Sequence, residues 1–184
     1  GATFALVSNE EVGSIAGAGT LSLGSATLTS GGDNSDTTFS GTIAGTGGLT
    51  KSGTGKLSLT GVKNFTGDTL VNSGTLESVG SAMSSAVAVA NGATYEIDLE
   101  SASDTNTYSK IISGAGSFLK SGPGQLTFDQ VHTYTGPTTI SDGILTMSGS
   151  GSFSDSTALT VDNGATYNLG SNEEVSSIAG AGTI

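Results

Sequence analysis

The chain holds a single histidine, so any chemistry that needs an imidazole must use His132. Asp129 lies shortly before it and Tyr134 shortly after. A carboxylate, an imidazole and a phenol this close in sequence have the types needed to pass a proton. The rest of a catalytic machine is missing. No G-x-S-x-G elbow offers a serine nucleophile. No arginine accompanies the carboxylates, as a polysaccharide-cleaving site would want. The repeat counterparts of the trio are Thr60, Lys63 and Phe65, so the repeat does not impose it. We read it as a solvated turn between strands, assign no catalytic residue and expect no enzyme.

Oxygen-rich loops raise metal binding instead. Calcium takes six to eight oxygen ligands. Asp33, Asn34 and Asp36, with Ser35 between them, are the calcium candidates. A second acidic stretch holds Asp98, Glu100 and Asp104. Neither matches an EF-hand loop or the G-G-x-G-x-D calcium repeat, so both read as acidic surface loops and no metal or other cofactor is assigned. The pair Glu10-Glu11 recurs as Glu173-Glu174, which fits one outward carboxylate per repeat, limiting aggregation between neighbours. Phe65 and Tyr134 occupy matching places and read as core caps rather than sugar-stacking rings. The glycine-rich segments form no phosphate loop.

The elements that must position these residues follow from composition. Among 184 residues there are 30 Gly, 29 Ser and 27 Thr, which disfavours helices throughout. No cysteine is present, which excludes a disulfide scaffold. Sixteen acidic residues against five lysines give a net charge of −11, without the basic stripe that nucleic-acid binding requires. No apolar run is long enough to span a bilayer as a helix. The chain opens on Gly1 rather than Met, and we read it as one segment of a longer protein.

Internal repeats carry the fold. Gly1 to Leu21 returns as Gly164 to Ile184, and a third version begins at Gly92-Ala93-Thr94-Tyr95. Lys51-Ser52-Gly53-Thr54-Gly55-Lys56-Leu57-Ser58-Leu59 returns, without gaps, as Lys120-Ser121-Gly122-Pro123-Gly124-Gln125-Leu126-Thr127-Phe128. The stretch from Gly1 to Ile43 is about twice as long as that from Gly92 to the matching Ile112. The second copy therefore lacks roughly 22 residues, the size of one coil of a solenoid. A globular core would not survive that loss, whereas a solenoid can lose one coil and restack. Short alternating runs such as Lys56-Leu57-Ser58-Leu59 mark strands with one buried face. The expectation is an all-β, right-handed parallel β-helix. It has about three short strands per rung of roughly 22 residues, and about eight rungs. The whole of 1–184 reads as a single segment, with repeat copies at about 1–91 and 92–163 and a partial third at 164–184.

The string from Ile43 to Gly61, with Asn64-Phe65-Thr66-Gly67 and Gly74-Thr75-Leu76 after it, resembles the autotransporter-associated β-strand repeat. This is also called the passenger-associated transport repeat. Ile112 to Leu145 resembles it as well, with Tyr134-Thr135-Gly136 in place, although Pro137, Thr139 and Asp129-Gln130 depart from the pattern. The resemblance implies a β-helical passenger of a type V secreted protein. It would be displayed extracellularly on the bacterial surface through a separate translocator domain in the outer membrane. It further implies a structural and adhesive stalk that supports export-coupled folding, adhesion or aggregation. The partners expected on that basis are a second copy of the chain, or a glycan or protein on a cell surface, and not nucleic acid.

Overall fold

A computed structural model describes residues 1–170 and 173–184. Among these there are twenty-two β-strands and no helix. Every strand pair is parallel, and each strand bonds to chain roughly one coil before and after it. Parallel pairing between such short, closely spaced strands is what a coiled solenoid produces.

The strands fall on three faces. Face A begins with Thr3–Ala5, Thr20–Gly24, Thr42–Gly45 and Lys63–Phe65. It crosses an irregular stretch at 80–86 and resumes with Thr105–Tyr108, Gln125–Phe128, Ile144–Met147 and Thr166–Asn168. The irregular stretch belongs to the same stack. Ser84 Oγ donates to Lys63 O on one side, and the Ala82 N–H donates to Asn106 Oδ1 on the other. Face B runs from Glu10–Val12 through Leu28–Ser30, Leu49–Lys51, Thr69–Val71 and Val87–Val89 to Ile112–Gly114. Beyond it the Thr133 and Thr135 amides still bond back to Ile112 O and Gly114 O, without a regular strand. Face C is the longest sheet, from Thr37–Phe39 to Ser177–Gly180. Its eight strands and the Gly17–Phe39 bridge make nine levels, so the solenoid has about nine turns.

Alternation decides what faces inward. In Lys56–Leu59 and Gln125–Phe128 every second side chain is buried, and the same parity aligns Leu57 with Leu76 and Leu126 with Leu145 across rungs. The inward positions join into one core from Leu6 to Tyr167. Its second half is aromatic, with Phe118 and Phe128 rings 5.1 Å apart and Phe153 against Tyr167 at 5.6 Å. Outward positions carry mostly Thr and Ser, which suit a pleated, solvated surface.

Rung length varies. The turn that pairs Thr3 with Thr20 is short, and the turn that pairs Val87 with Ile112 is half as long again. On face C the chain takes six turns from Leu57 to Ile178, through Leu76, Tyr95, Phe118, Thr138 and Leu159. A typical rung is therefore nearer to about 20 residues than to 22, and the solenoid holds one more turn than the sequence suggested. This variation changes the meaning of the gap between copies. The gap does not remove one whole coil. The stretch from Lys51 to its counterpart Lys120 is close to three and a third turns. Each repeat copy is therefore rotated by one face: Thr42–Gly45 on face A corresponds to Ile112–Gly114 on face B, and Leu49–Lys51 on face B to Ser117–Ser121 on face C. The near-identical segments at 1–21 and 164–184 return to the same faces eight levels apart.

Candidate functional site

Three of the five lysines lie inside the rod. Lys51, Lys63 and Lys120 are buried, and each places its ammonium among three backbone carbonyls. Lys51 Nζ donates to Ser52 O at 2.6 Å, Gly53 O at 2.8 Å and Ser73 O at 3.4 Å. Lys120 repeats this with Ser121 O at 2.7 Å, Gly122 O at 2.7 Å and Asp142 O at 3.3 Å. In both, two carbonyls belong to the lysine's own corner and the third to the next rung. The corner bends its carbonyls out of the ladder, so they need other donors. An ammonium brings three. Gly53 and Gly122 sit at φ 68° and 71°, the left-handed conformation that turns the corner. Lys63 does the same with Leu59 O, Gly61 O and Val79 O. Burial pushes the Lys63 ammonium down to about 8, and pushes Lys120 down to about 8 against the pull of Asp142 and Asp98.

Lys56 faces outward on face C. Its ammonium pairs with Glu77 and, at 3.1 Å, with Glu96. Ser121 Oγ donates to Glu96 Oε1 at 2.6 Å. Burial works against the ammonium, but the two carboxylates more than offset it and its pKa is raised. Asp98, beside them, is pushed up by burial and by Glu77, Glu96 and Glu100. Lys110 alone, among the described residues, is a cation facing solvent without an ion pair. The exterior is therefore more acidic than the net charge suggests, since most of the positive charge is internal.

The His132 trio does not assemble. His132 is fully buried and points into the core, where its ring stacks on Tyr108 and lies 4.0 Å from Phe128. Its Nδ1 accepts the Ile112 N–H at 3.1 Å, so the proton of the neutral ring sits on Nε2. Burial lowers its pKa to about 4, with Asp129 opposing. Asp129 itself lies outside, accepting from Ser109 Oγ at 2.7 Å. Tyr134 is buried and bonds Thr138 Oγ1. His132 holds the place that Lys63 holds one copy earlier, and the expected solvated turn is in part a piece of the core.

Of the calcium candidates, Asn34 and Asp36 tie neighbouring rungs and Asp33 braces its own loop. Asp33 Oδ1 accepts from the Ser35 amide at 3.0 Å and from its hydroxyl at 2.7 Å. Asn34 Oδ1 takes the Thr54 amide at 2.9 Å, and Asp36 Oδ1 takes the Lys56 amide at 2.7 Å. The three oxygens turn to different donors rather than to one point. Asp104 likewise accepts from the Ser101 amide. Glu173 Oε1 accepts the Phe153 N–H at 2.6 Å and closes a shallow acidic groove with Asp155 and Glu174. Ser171 and Asn172, in the second copy of the SNEEV segment, lie outside the described residues. Phe65 and Tyr134 are both fully buried, as core caps should be.

The repeat motif thus serves the inside of the rod. Its lysine ties corners, its glycines admit neighbouring corners, and its alternating leucines fill the core. These features define a parallel β-solenoid repeat segment. Within that class the chain carries two passenger-associated-transport-repeats, matched at residues 49–77 and 118–147. It is also similar to Adhesin BmaC autotransporter of Brucella suis biovar 1 (strain 1330), at 36% identity over 157 residues. That match covers 77% of this chain and 5% of the relative, so the chain spans a small part of the relative's length. No solved structure matches. Family and relative together mark the chain as a segment of a secreted, surface-exposed passenger.

Proposed function

We propose that the chain is a structural and adhesive stalk segment of an autotransporter passenger, held outside the cell by a translocator domain elsewhere in the parent protein. The observation that carries this reading is the recurrence of the corner cage at Lys51 and Lys120. The motif shared by the copies serves stacking, and stacking makes a stiff rod that can grow one rung at a time. The relative's name, an adhesin, supports adhesion and a non-catalytic role. A passive folding and spacer module is the second reading, since the same core would serve it.

Deleting residues 1–163 from the parent chain tests the proposal. The segments at 1–21 and 164–184 are near-identical and lie on the same faces, so the neighbouring rungs can rejoin in register. Surface display is followed by antibody and adhesion by retention on cells. Display intact with adhesion reduced is the expected result. Display intact with adhesion unchanged makes the segment a passive spacer.

A further inference from the structure

Face A has a property that the repeats do not reveal. Every outward side chain on its strands is Thr, Ser, Ala, Asn, Gln or Ile, and none is charged. The stack covers nine levels, about 38 Å at roughly 4.8 Å per rung. The acids lie elsewhere. Glu77, Glu96 and Asp98 crowd the middle of face C, Glu10 and Glu11 are on face B, and the others occupy corners and loops. In the second half the strip is knitted laterally. Thr107, Thr127 and Thr146 align across three rungs, and Thr146 Oγ1 lies 3.3 Å from Gln125 Nε2 and 3.4 Å from Asn168 Nδ2.

We propose that face A is a self-docking strip, taking the same face of a second copy of this chain. The proposal rests on the adhesive reading above and names its partner. Two rods of net charge −11 repel each other by most approaches. Face-A-to-face-A contact keeps the outward carboxylates of faces B and C out of the contact and leaves only corner acids, Asp104 and Asp129 among them, at its rim. Those rim acids face water, where a Debye length of about 8 Å at physiological salt screens them. Hydroxyl and amide rows both donate and accept, so the strip is complementary to itself. A strip about 38 Å by 10 Å offers roughly 400 Å² per partner, half of the ~800 Å² usual for a stable pair. A single contact is therefore weak, and dense arrays of rods hold together by multivalency.

The test uses beads densely coated with the chain, with clumping followed by turbidity. The double variant Ser22→Asp/Thr127→Asp charges the strip on two well-separated rungs. The control Thr50→Asp/Ser113→Asp charges outward positions on face B. Both should keep the melting temperature of the parent, since all four sites face outward. Wild-type and control beads are expected to clump, in EDTA and at about 0.5 M salt alike, because the contact is uncharged. The strip variant is expected to clump at least about tenfold more slowly, as facing carboxylates repel. Clumping unaffected by the strip variant, or dependent on calcium, overturns the proposal. So does clumping abolished by a neutral polysaccharide that binds the strip in place of a second copy. Wild-type beads that stay dispersed also overturn it, while the retention assay on cells still decides the adhesive reading.

Discussion

Replacing Lys120 with methionine removes the ammonium from its corner and keeps most of the stem's volume. Three carbonyls then lose their donor: Ser121 O, Gly122 O and Asp142 O. Two of the bonds are short and charge-assisted, at about 1.5 kcal/mol each, and the long third is worth little, so the loss is about 3 kcal/mol. Methionine buries a thioether where an ammonium had to be stripped of water, which returns about 1 kcal/mol. The net expectation is a destabilisation of about 2 kcal/mol, read as a lowered urea midpoint at constant slope. Lys51→Met should match it, because the two cages agree bond for bond. Lys110→Met, at an exposed site, should stay within about 0.5 kcal/mol of the parent. A Lys120→Met protein with an unchanged or raised midpoint would refute the cage as a stabilising device.

Other expectations follow from the same geometry. His132 is held near pKa 4 when folded against 6.5 when free, so the unfolded chain binds more protons between those values. The stability it contributes is fully present above pH 6.5 and is lost as pH falls towards 4. His132→Gln should flatten that slope in a pH series of urea melts. Lys63 and Lys120, held near 8 against 10.5, act in a higher window: stability rises as pH climbs from about 8 to 10.5 and is lost on descent. The double variant Lys63→Met/Lys120→Met should reduce that rise. At Gly47 a Cβ would collide with Ala26 O of the preceding rung. Gly47→Ala should therefore cost several kcal/mol, about 3 or more, in a thermal melt. At Gly1 a Cβ meets nothing within 4 Å, so Gly1→Ala should leave the melt unchanged.

Much of the fold was legible because the solenoid uses the same few residue types at every level. The alternation of Leu57 and Leu59 announced their burial, and the missing stretch between copies excluded a closed globular core. The same alternation already placed Lys51 inward, at the parity of Leu49, which was the available signal for the cage. A charged residue at a core parity is easily taken for a surface one, because its partners are carbonyls that no sequence displays. The rotation of the copies was not legible. It depends on rungs of unequal length, from the short turn between Thr3 and Thr20 to the long one between Val87 and Ile112, set by loops such as 99–104. The uncharged strip depends on that rotation. The sequence places His132 in a solvated turn because the residues just before it, Asp129 and Gln130, are polar. In space, Phe128 from the strand just before it and Tyr108 from the preceding rung close around the ring.

The stacking of rungs along one axis is best tested by a distance between two spin labels, at Ser22→Cys and Asn168→Cys. Both positions face outward on face A, at the second and ninth levels. Seven spacings predict a narrow distribution near 34 Å, at about 4.8 Å per rung. A mean well below about 25 Å, as a sandwich folding its ends together would give, would contradict the solenoid and the account built on it.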